Sequence, residues 1–469
     1  MKPDHEQYRD SIATVDATGK RVWVYPKKPQ GRLHNYRRVF SVLLLALFFA
    51  GPFITIGGQP LLLLNLFERR FVLLGQVFWP QDFYLFGLAM IIFVLFVIVF
   101  TVAYGRLFCG WACPQTVFME MVFRKIEYLI EGDANQQRKL QAAPWTTEKL
   151  LKKGSKHFLF FLIALLFTHT VMAYLIGIEQ VSAIVSSPPS AHWAGFTGLV
   201  FFTGAFYGTF AFMREQVCIA VCPYGRLQGV LLGRESIVVA YDWLRGEPRG
   251  KIRKQPPSTF AEKVVGDCVD CSLCVQVCPT GIDIRNGTQL ECVNCTACID
   301  ACDGVMEKVG RPKGLIRYDS LQGIEERRHS VFTPRILGYS AVLVVLLGLF
   351  SYLLFSRTDV ATTVLRVPGM LYQEQPHNRI SNLYNIQFVN KTFEPMALDV
   401  RLKAPEGGSL RRVGDEALTL PPGEMVEGVY FIELPRSDLQ ARKTKITLQI
   451  FRQDELIDEI ETSFMGPAK

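Results

Sequence analysis

The sequence lacks the short motifs by which many enzymes hold nucleotides or haem. It has no Cys-x-x-Cys-His segment for covalent haem, no Gly-x-Gly-x-x-Gly after a strand and no Gly-Lys-Ser/Thr phosphate loop. The chain does not begin with a short apolar stretch and small-residue cleavage site, so we expect no removable signal peptide. We therefore expect no haem, no bound nucleotide and no hydride or ATP chemistry of its own.

Charged residues are also scarce, at 20% of 469 residues, whereas hydrophobic residues make up 49%. This composition favours membrane spans, and the length allows two or three domains. The net charge of +8 does not indicate a nucleic-acid partner, because the basic residues gather beside apolar segments. None of the 12 cysteines lies in the last hundred residues. Their clustering elsewhere favours metal or redox thiols in a reducing compartment over a disulfide framework.

Apolar runs of membrane-spanning length predict a bundle of five transmembrane helices. The predicted spans are 39–56, 84–104, 158–177, 195–213 and 335–355. Another apolar stretch, 59–80, is interrupted by Glu68, Arg69 and Arg70, so we interpret it as interfacial or re-entrant.

The distribution of Lys and Arg predicts the orientation in a bacterial inner membrane. The loop 107–157 is rich in both residues, whereas the loop 178–194 has neither. The positive-inside rule then places the N-terminus, the loop 107–157 and the segment 214–334 in the cytoplasm. Only Arg69 and Arg70 disagree with this rule, because the predicted orientation places them on the outer side of the membrane. The predicted organisation is a cytoplasmic segment (1–38), four transmembrane helices (39–213), a cytoplasmic insert (214–334), a fifth helix (335–356) and a periplasmic domain (357–469).

The tail after the last span has the pattern of a β domain. Segments such as 383–389 and 445–451 alternate apolar and polar residues, and Pro- and Gly-containing turns separate them. The length and strand pattern predict an immunoglobulin-like β-sandwich, here without its disulfide.

Eight cysteines form the most informative pattern of the chain. The motif C-x2-C-x2-C-x3-C runs from Cys268 to Cys278, is followed by Pro279, and is repeated from Cys292 to Cys302. In bacterial ferredoxins such motifs hold two [4Fe-4S] clusters, and the fourth cysteine of each motif ligates the other cluster. The pattern therefore predicts an α+β insert of that type with the ligand sets Cys268, Cys271, Cys274, Cys302 and Cys292, Cys295, Cys298, Cys278. A zinc site would use C-x2-C pairs, and this crowded motif does not divide that way.

The remaining four cysteines form a second repeat. Cys109 and Cys113 follow the second span, Cys218 and Cys222 follow the fourth, and each pair reads C-x3-C-P with an arginine upstream, Arg106 or Arg214. Cysteines at i and i+4 share a helical face, so four sulfurs would converge near the cytoplasmic membrane surface if the helices are neighbours. The alternative is that they are small buried hydrophobes. The arginines either balance thiolate charge or extend to the membrane interface.

His169 and Met172 lie inside the third predicted span. Ionisable residues at membrane depth are candidates for function, and an imidazole with a thioether suits copper. A hydrogen bond to a neighbouring helix is the alternative for His169.

Together, the spans, the paired C-x3-C-P motifs, the two-cluster insert and the β tail resemble the cytochrome c oxidase accessory protein family, known as CcoG, FixG or RdxA. The resemblance covers nearly the whole chain. It implies assembly of cbb-type cytochrome c oxidase through reduction of Cu(II), the substrate, to Cu(I). Copper-delivery and oxidase-assembly proteins, a cytoplasmic electron donor, membrane lipid and a second copy of the chain in a homodimer are the partners we expect.

In the mechanism that we expect, electrons pass from the clusters to a catalytic site of Cys109, Cys113, Cys218 and Cys222, which binds copper or a further cofactor. Basic residues of the loop 107–157 are expected to dock an acidic partner or anionic lipid. Two alternatives remain. The protein is a quinol-linked electron conduit for a periplasmic reductase, or it is a structural or redox-sensing iron–sulfur scaffold.

Overall fold

The computed structural model describes residues 12–16, 18–67, 70–73, 75–79, 82–251, 265–327, 333–369, 371–392, 394–414, 418–439 and 441–467. The chain forms two compact units. Unit 1 comprises 1–50, 90–172 and 181–347, and unit 2 comprises 51–89, 173–180 and 348–469. The predicted domain boundaries at 38, 213, 334 and 356 differ from this division, which joins segments that are far apart along the chain, and they stay a prediction.

Within the described residues, five helices are long and apolar enough to cross a membrane: Arg32–Phe53, Phe83–Tyr104, Thr147–Ile176, Trp193–Met213 and Pro334–Phe355. The first begins earlier than its apolar run because Asp300 accepts hydrogen bonds from the amides of Leu33 (3.1 Å) and His34 (2.7 Å). A carboxylate at that position satisfies amides that have no partner within the helix.

The helices, in chain order, are α1 (Arg32–Ala50), α2 (Phe83–Tyr104), α3 (Leu107–Trp111), α4 (Pro114–Phe118), α5 (Arg124–Ile130), α6 (Ala134–Ala142), α7 (Thr147–Ile176), α8 (Ile178–Ser186), α9 (Trp193–Gly208), α10 (Pro223–Leu231), α11 (Trp243–Gly246), α12 (Leu273–Gln276), α13 (Ala297–Lys308), α14 (Leu321–Glu326) and α15 (Pro334–Phe355). Wider π-type turns occupy Met119–Phe123, Thr209–Met213 and Val217–Val221; the second precedes the second C-x3-C-P motif and the third contains its first cysteine, Cys218. Such turns often occur at functional sites.

The strands are β1 (Thr55–Ile56), β2 (Gln59–Pro60), β3 (Leu62–Asn65), β4 (Arg70–Leu73), β5 (Gln76–Phe78), β6 (Val238–Tyr241), β7 (Ile316–Asp319), β8 (Val360–Arg366), β9 (Gln373–Gln375), β10 (Arg379–Asn390), β11 (Met396–Ala397), β12 (Asp399–Ala404), β13 (Ser409–Arg412), β14 (Thr419–Leu420), β15 (Met425–Pro435), β16 (Lys443–Arg452) and β17 (Glu455–Met465). The stretch 59–80, which we interpreted as interfacial or re-entrant, contains β2 and the antiparallel strands β3, β4 and β5, and its position at the interface stays a prediction. Its apolar residues include Leu63 and Val72, which are buried together on one face of the sheet. Glu68 and Arg69 lie outside the described residues.

Unit 1 has an aromatic core where helical segments of the bundle meet. Phe118, Phe123, Phe160 and Phe210 are buried together, and the rings of Phe123 and Phe210 stack with their centres 4.6 Å apart. Aromatic side chains supply a large apolar contact area at such crossings. This core lies in the same unit as the cysteine motifs.

The cysteine-rich insert is held by a short antiparallel pair, β6 with β7, and by α13. Apolar side chains of these elements, such as Val239, Ile316 and Met306, are buried in one cluster with Cys268 and Cys274. The segments 252–264 and 328–332, which belong to the predicted insert, lie outside the described residues.

In unit 2 the tail is a β domain. One sheet has the strand order β13-β15-β10-β8, with β9 also paired to β10, and another has β12-β16-β17. Tyr384 and Ile432 of the first sheet share a buried core with Leu448 and Phe464 of the second. The alternation noted at 383–389 and 445–451 therefore corresponds to half-buried strands, β10 and β16.

Candidate iron–sulfur sites and cysteine quartet

The first cysteine group comprises Cys268, Cys271, Cys274 and Cys302. The four line one cavity, whose wall also includes Tyr241 and Met306. Cys302 reaches it from α13, whereas the other three come from the first motif. The chain thus brings the fourth cysteine of the second motif to the first three of the first motif.

The second cysteine group comprises Cys278, Cys292, Cys295 and Cys298. These four line a separate cavity, and Cys274 touches its wall as well. Because Cys298 and Cys302 are four residues apart on α13, one helix contributes to both cavities. The two groups are consequently direct neighbours.

Each motif wraps its loop in the same way. In both motifs the residues on either side of the second cysteine have positive φ. They are Asp270 (51°) and Ser272 (54°) in the first motif, and Asn294 (54°) and Thr296 (67°) in the second. The left-handed conformation is strained for a β-branched residue such as Thr296 and persists where the surrounding structure requires it, often at a ligand clamp. The repeat in sequence is therefore a repeat in backbone conformation.

The donor set fits an iron–sulfur cluster in each cavity. Burial, with a smaller contribution from neighbouring thiols, raises the pKa of Cys274, Cys292 and Cys302 to about 12 and that of Cys295 to about 11. So many thiolates are tolerated in such surroundings when bound iron balances their charge. Among the described residues, no three His, Cys, Asp or Glu side chains are close enough to hold a single ion. The fourth cysteine of each motif lies in the cavity of the other motif, which is typical of two multi-iron clusters whose ligands bind different irons.

The quartet comprises Cys109, Cys113, Cys218 and Cys222. Cys109 lies in α3 and Cys218 in the turn Val217–Val221, whereas Cys113 and Cys222 are extended, with ψ of 125° and 114°. Our expectation that each pair shares one helical face is wrong in detail, because each second cysteine ends one helical segment. The following prolines, Pro114 and Pro223, disfavour helical backbone before them and start α4 and α10.

The four quartet thiols nevertheless lie near enough to influence one another electrostatically, although no three of them are close enough to hold a single ion. Burial raises the pKa of Cys109 to about 11 and that of Cys218 to about 12; Cys113 and Cys222 contribute to both shifts, and Cys109 contributes to that of Cys218. Gly225 lets α10 approach: a Cβ there would be 2.4 Å from the carbonyl oxygen of Cys218. The two halves of the repeat thus converge as the sequence predicts.

The two upstream arginines have different surroundings. Arg106 is 4% exposed and donates to the carbonyl of Gly225, and its charge partly offsets the raised pKa values of Cys109, Cys218 and Cys292. Arg214 instead forms a bidentate pair with Glu127, at 3.0 and 3.2 Å, and lies over the ring of Trp23. Of the two proposed charge-balancing residues, only Arg106 faces thiols.

The quartet is contiguous with the second cysteine group. Cys109 packs in one cluster with Val293 and Cys295, and a Cβ on Gly110 would be 2.4 Å from the carbonyl oxygen of Val293. The Trp111 indole donates to the Tyr318 hydroxyl (3.1 Å), which donates to the carbonyl of Asn294 (3.1 Å). The segment that carries the quartet and the loop that carries the second cysteine group are thus in direct contact, and this packed protein would lie between a metal at the quartet and a cluster in the second group.

Comparisons with known proteins agree with these features. Family models match at residues 213–321 (4Fe-4S dicluster domain), 86–130 (4Fe-4S binding domain) and 350–467 (immunoglobulin-like fold at the C-terminus of FixG). Protein RdxB of Cereibacter sphaeroides is 34% identical over 91% of this chain and 94% of its own length. The chain belongs to the FixG/RdxA/RdxB family.

Further relatives in the family are the nitrogen fixation protein FixG of Rhizobium meliloti and Protein RdxA of C. sphaeroides. FixG is 31% identical over 89% of this chain and 87% of its own length, and RdxA is 32% identical over 88% of each. As a FixG-type protein with five apolar helices, the chain is a membrane-bound iron–sulfur electron-transfer protein. This agrees with the resemblance noted from the sequence.

A buried ion network lies beside the quartet of this FixG-type protein and was not predicted. Its members are charged side chains exposed by less than one-tenth, and they pair as Arg124–Glu215, Arg214–Glu127, Lys156–Glu127 and Lys156–Glu131. Arg124 also donates to the carbonyl of Pro279, which follows the first motif. Several basic residues expected to dock a partner are thus used inside the molecule. Acidic residues at 120, 127 and 131 among apolar ones were the signal in the sequence.

The N-terminal segment contacts both cysteine motifs, and no pattern in the sequence predicted this. The amide of Ala13 donates to Glu291 (2.8 Å), next to Cys292, and the amide of Lys27 donates to the carbonyl of Gln276 (2.7 Å), between Cys274 and Cys278. It is therefore part of the cysteine-rich unit.

His169 lies in α7 with its Nδ1 atom 2.7 Å from the carbonyl oxygen of Leu165 in the same helix. Met172 is buried, at 8% exposed. Their copper-binding role stays a prediction, and so does the alternative of a hydrogen bond from His169 to a neighbouring helix, because the bond between His169 and Leu165 lies within α7.

Proposed function

We propose that this protein reduces Cu(II) to Cu(I) at the quartet and provides the product for assembly of cbb-type cytochrome c oxidase. The observation that carries the electron path is the packing of Cys109 against the buried cluster that contains Val293 and Cys295. Each copper ion gains one electron, which a one-electron donor in the cytoplasm must ultimately supply. The oxidase as destination rests on the family resemblance.

In this proposal the first and second cysteine groups each hold one [4Fe-4S] cluster. When bound, the clusters supply reversible one-electron redox chemistry. The protein's own part is to exclude water, since Cys278, Cys292, Cys295 and Cys298 lie in an apolar cavity. Arg285, on the wall of the first cavity, lowers the pKa of Cys274 against the opposing effect of burial.

The quartet offers the ligand type that cuprous ion prefers. Thiolates are soft ligands and select Cu(I) over Cu(II), so they favour the reduced product. Arg106 lies buried beside them, and its charge reduces the cost of holding several thiolates away from water.

A further [4Fe-4S] cluster in the quartet is a second candidate. The match of residues 86–130 to a 4Fe-4S binding domain favours it, because that range includes Cys109 and Cys113. The quartet would then pass electrons to copper bound elsewhere. Iron content distinguishes the two: roughly eight irons per chain for two clusters, and roughly twelve for three.

For orientation, we propose that the N-terminus, the loop 107–157 and the insert are cytoplasmic and that the β domain is periplasmic in the inner membrane. The excess of Lys and Arg in the loop 107–157 supports this.

The test is anaerobic purification with counts of iron, sulfide and copper, followed by assays of cupric reduction. Cys109→Ser and Cys218→Ser should keep the iron of the two insert clusters and abolish Cu(II) reduction. As the opposite control, Cys271→Ser should lose roughly half of that iron. If the quartet variants reduce Cu(II) at the wild-type rate, the proposal is wrong.

A further inference from the structure

Gln228 is a buried residue that contacts the quartet and belongs to no cysteine motif. It lies on α10 with 0% exposure. Its Nε2 atom is 3.4 Å from the sulfur of Cys109, and its Oε1 atom is 3.7 Å from the same sulfur. Both distances are within the range of hydrogen bonds to sulfur, so one side chain offers Cys109 a donor and an acceptor.

The amide suits both states of that sulfur. A protonated thiol has one S–H, which donates to Oε1, whereas a thiolate or a metal-bound sulfur only accepts, and then Nε2 donates. Glutamine therefore satisfies Cys109 before and after a metal replaces its proton. Leucine would satisfy neither state, and an ionised glutamate would satisfy the thiol alone.

The position of Gln228 is fixed by a chain of hydrogen bonds. Tyr224, one helical turn earlier on α10, is hydrogen-bonded to Gln228. The hydroxyl of Tyr224 lies 2.9 Å from that of Thr101 in α2, which donates to the carbonyl of Val97 (2.7 Å). The amide is thus connected to the backbone of a membrane helix and has little freedom to turn away from the sulfur.

We propose that Gln228 is a positioning residue, which orients the Cys109 sulfur and stabilises its metal-bound form by an N–H···S hydrogen bond. Such bonds withdraw electron density from sulfur ligands and raise the reduction potential of the metal. Gln228 thereby favours Cu(I) over Cu(II) at the quartet. Only the part of this inference that concerns copper rests on the proposed function, because the contact between Gln228 and Cys109 does not depend on a bound metal.

The test compares Gln228→Leu and Gln228→Glu with wild type in two measurements. In the first, Cu(I) affinity is measured by chelator competition, and the copper potential by a redox titration followed by Cu(II) EPR. Gln228→Leu is expected to weaken Cu(I) binding about 10- to 100-fold and to lower the potential, as second-layer changes at metal sites do. Gln228→Glu, which keeps the shape of the side chain but replaces the N–H donor, should lower the Cu(I) affinity and the copper potential further. Tyr224→Phe should have a smaller effect in the same direction.

The second measurement uses copper-free protein. The alkylation rate of Cys109 at fixed pH, read by peptide mass spectrometry, should fall several-fold in Gln228→Leu because the thiolate loses its donor. The matched control is Gln137→Leu, which removes another buried glutamine, whose Nε2 donates to the carbonyl of Gly132 (2.8 Å). It should leave alkylation, affinity and potential unchanged.

The outcomes separate the two proposals. Slower alkylation in Gln228→Leu, with no copper bound even to wild type, supports the positioning role and refutes the copper function. Wild-type alkylation, affinity and potential in Gln228→Leu overturn the positioning role, and so do changes equal to those of Gln137→Leu.

Discussion

Gly110 packs against the backbone of Val293 so closely that a Cβ atom would come within 2.4 Å of the Val293 carbonyl oxygen. This contact joins α3, which carries Cys109, to the loop that carries Cys292 and Cys295. A side chain of any size would force the two apart. The distance between the quartet and the second cysteine group therefore depends on a residue that contributes no chemistry.

Gly110→Ala should separate α3 from this loop. We expect a loss of about 1–3 kcal/mol in unfolding free energy, typical of overpacking, and slower electron transfer to Cu(II) with the iron content retained. Rapid-mixing absorbance and thermal unfolding measure both. Gly304→Ala on α13 is the control, because a Cβ there meets nothing within 4 Å. Equal rates in the two variants would contradict the proposed electron path.

The pairing of cysteines between motifs can be tested by double variants. Because Cys302 lines the cavity of Cys271, Cys271→Ser with Cys302→Ser should leave the second cluster intact, at roughly four irons per chain. Cys271→Ser with Cys278→Ser should lose both clusters. Iron and sulfide analysis with EPR distinguishes them. If instead the first double variant empties the insert, each cluster draws its ligands from a single motif.

Copper binding to the quartet should strengthen with pH. The pKa values of Cys109 and Cys218, raised by burial to about 11 and about 12, keep both thiols protonated near neutrality, so a metal must displace their protons. Between about pH 6.5 and 8.5, the affinity for Cu(I) should rise at least tenfold per pH unit if one thiol deprotonates on binding. Competition titrations at several pH values measure this slope, which Cys109→Ser should reduce. A flat profile would count against ligation by these thiols.

Removing one partner of the buried ion network should lower the free energy of unfolding substantially. In Glu127→Gln the cations of Arg214 and Lys156 lose a carboxylate whose side chain is 5% exposed. Breaking a buried pair typically costs about 3–5 kcal/mol, so we expect a clearly lower unfolding temperature in detergent. Glu148→Gln, which breaks the exposed pair with Lys152, is the control and should change little. Similar unfolding temperatures for both variants would show that the network is not structural.

The proposed orientation predicts which introduced thiols an impermeant reagent can reach. Ser190 and Asn135 are both exposed, in the loop after α8 and in α6. In intact spheroplasts, a membrane-impermeant maleimide should label Ser190→Cys, whereas Asn135→Cys should react only after lysis. The reverse pattern would invert the topology.

Much of the chemistry was readable from spacing alone. The eight insert cysteines predict iron–sulfur ligands, the C-x3-C-P repeat predicts a thiol quartet and the apolar runs predict five helices, because each pattern depends on residue types at short, regular intervals. The β tail was readable for the same reason, since strands alternate with a period of two. In contrast, the N-terminal segment carries no motif, and its contacts with Glu291 and Gln276 use backbone amides that any sequence supplies.

Residue types and their spacing show which side chains are available for metal chemistry and which segments are apolar. The fold, in contrast, places Arg106 and not Arg214 beside the thiols, packs Cys109 against the cluster that contains Val293 and Cys295, and brings Gln228 into contact with Cys109. The reason is physical: short-range periodicity follows from local geometry, whereas these contacts join residues far apart along the chain, and the packing of the unit as a whole sets them.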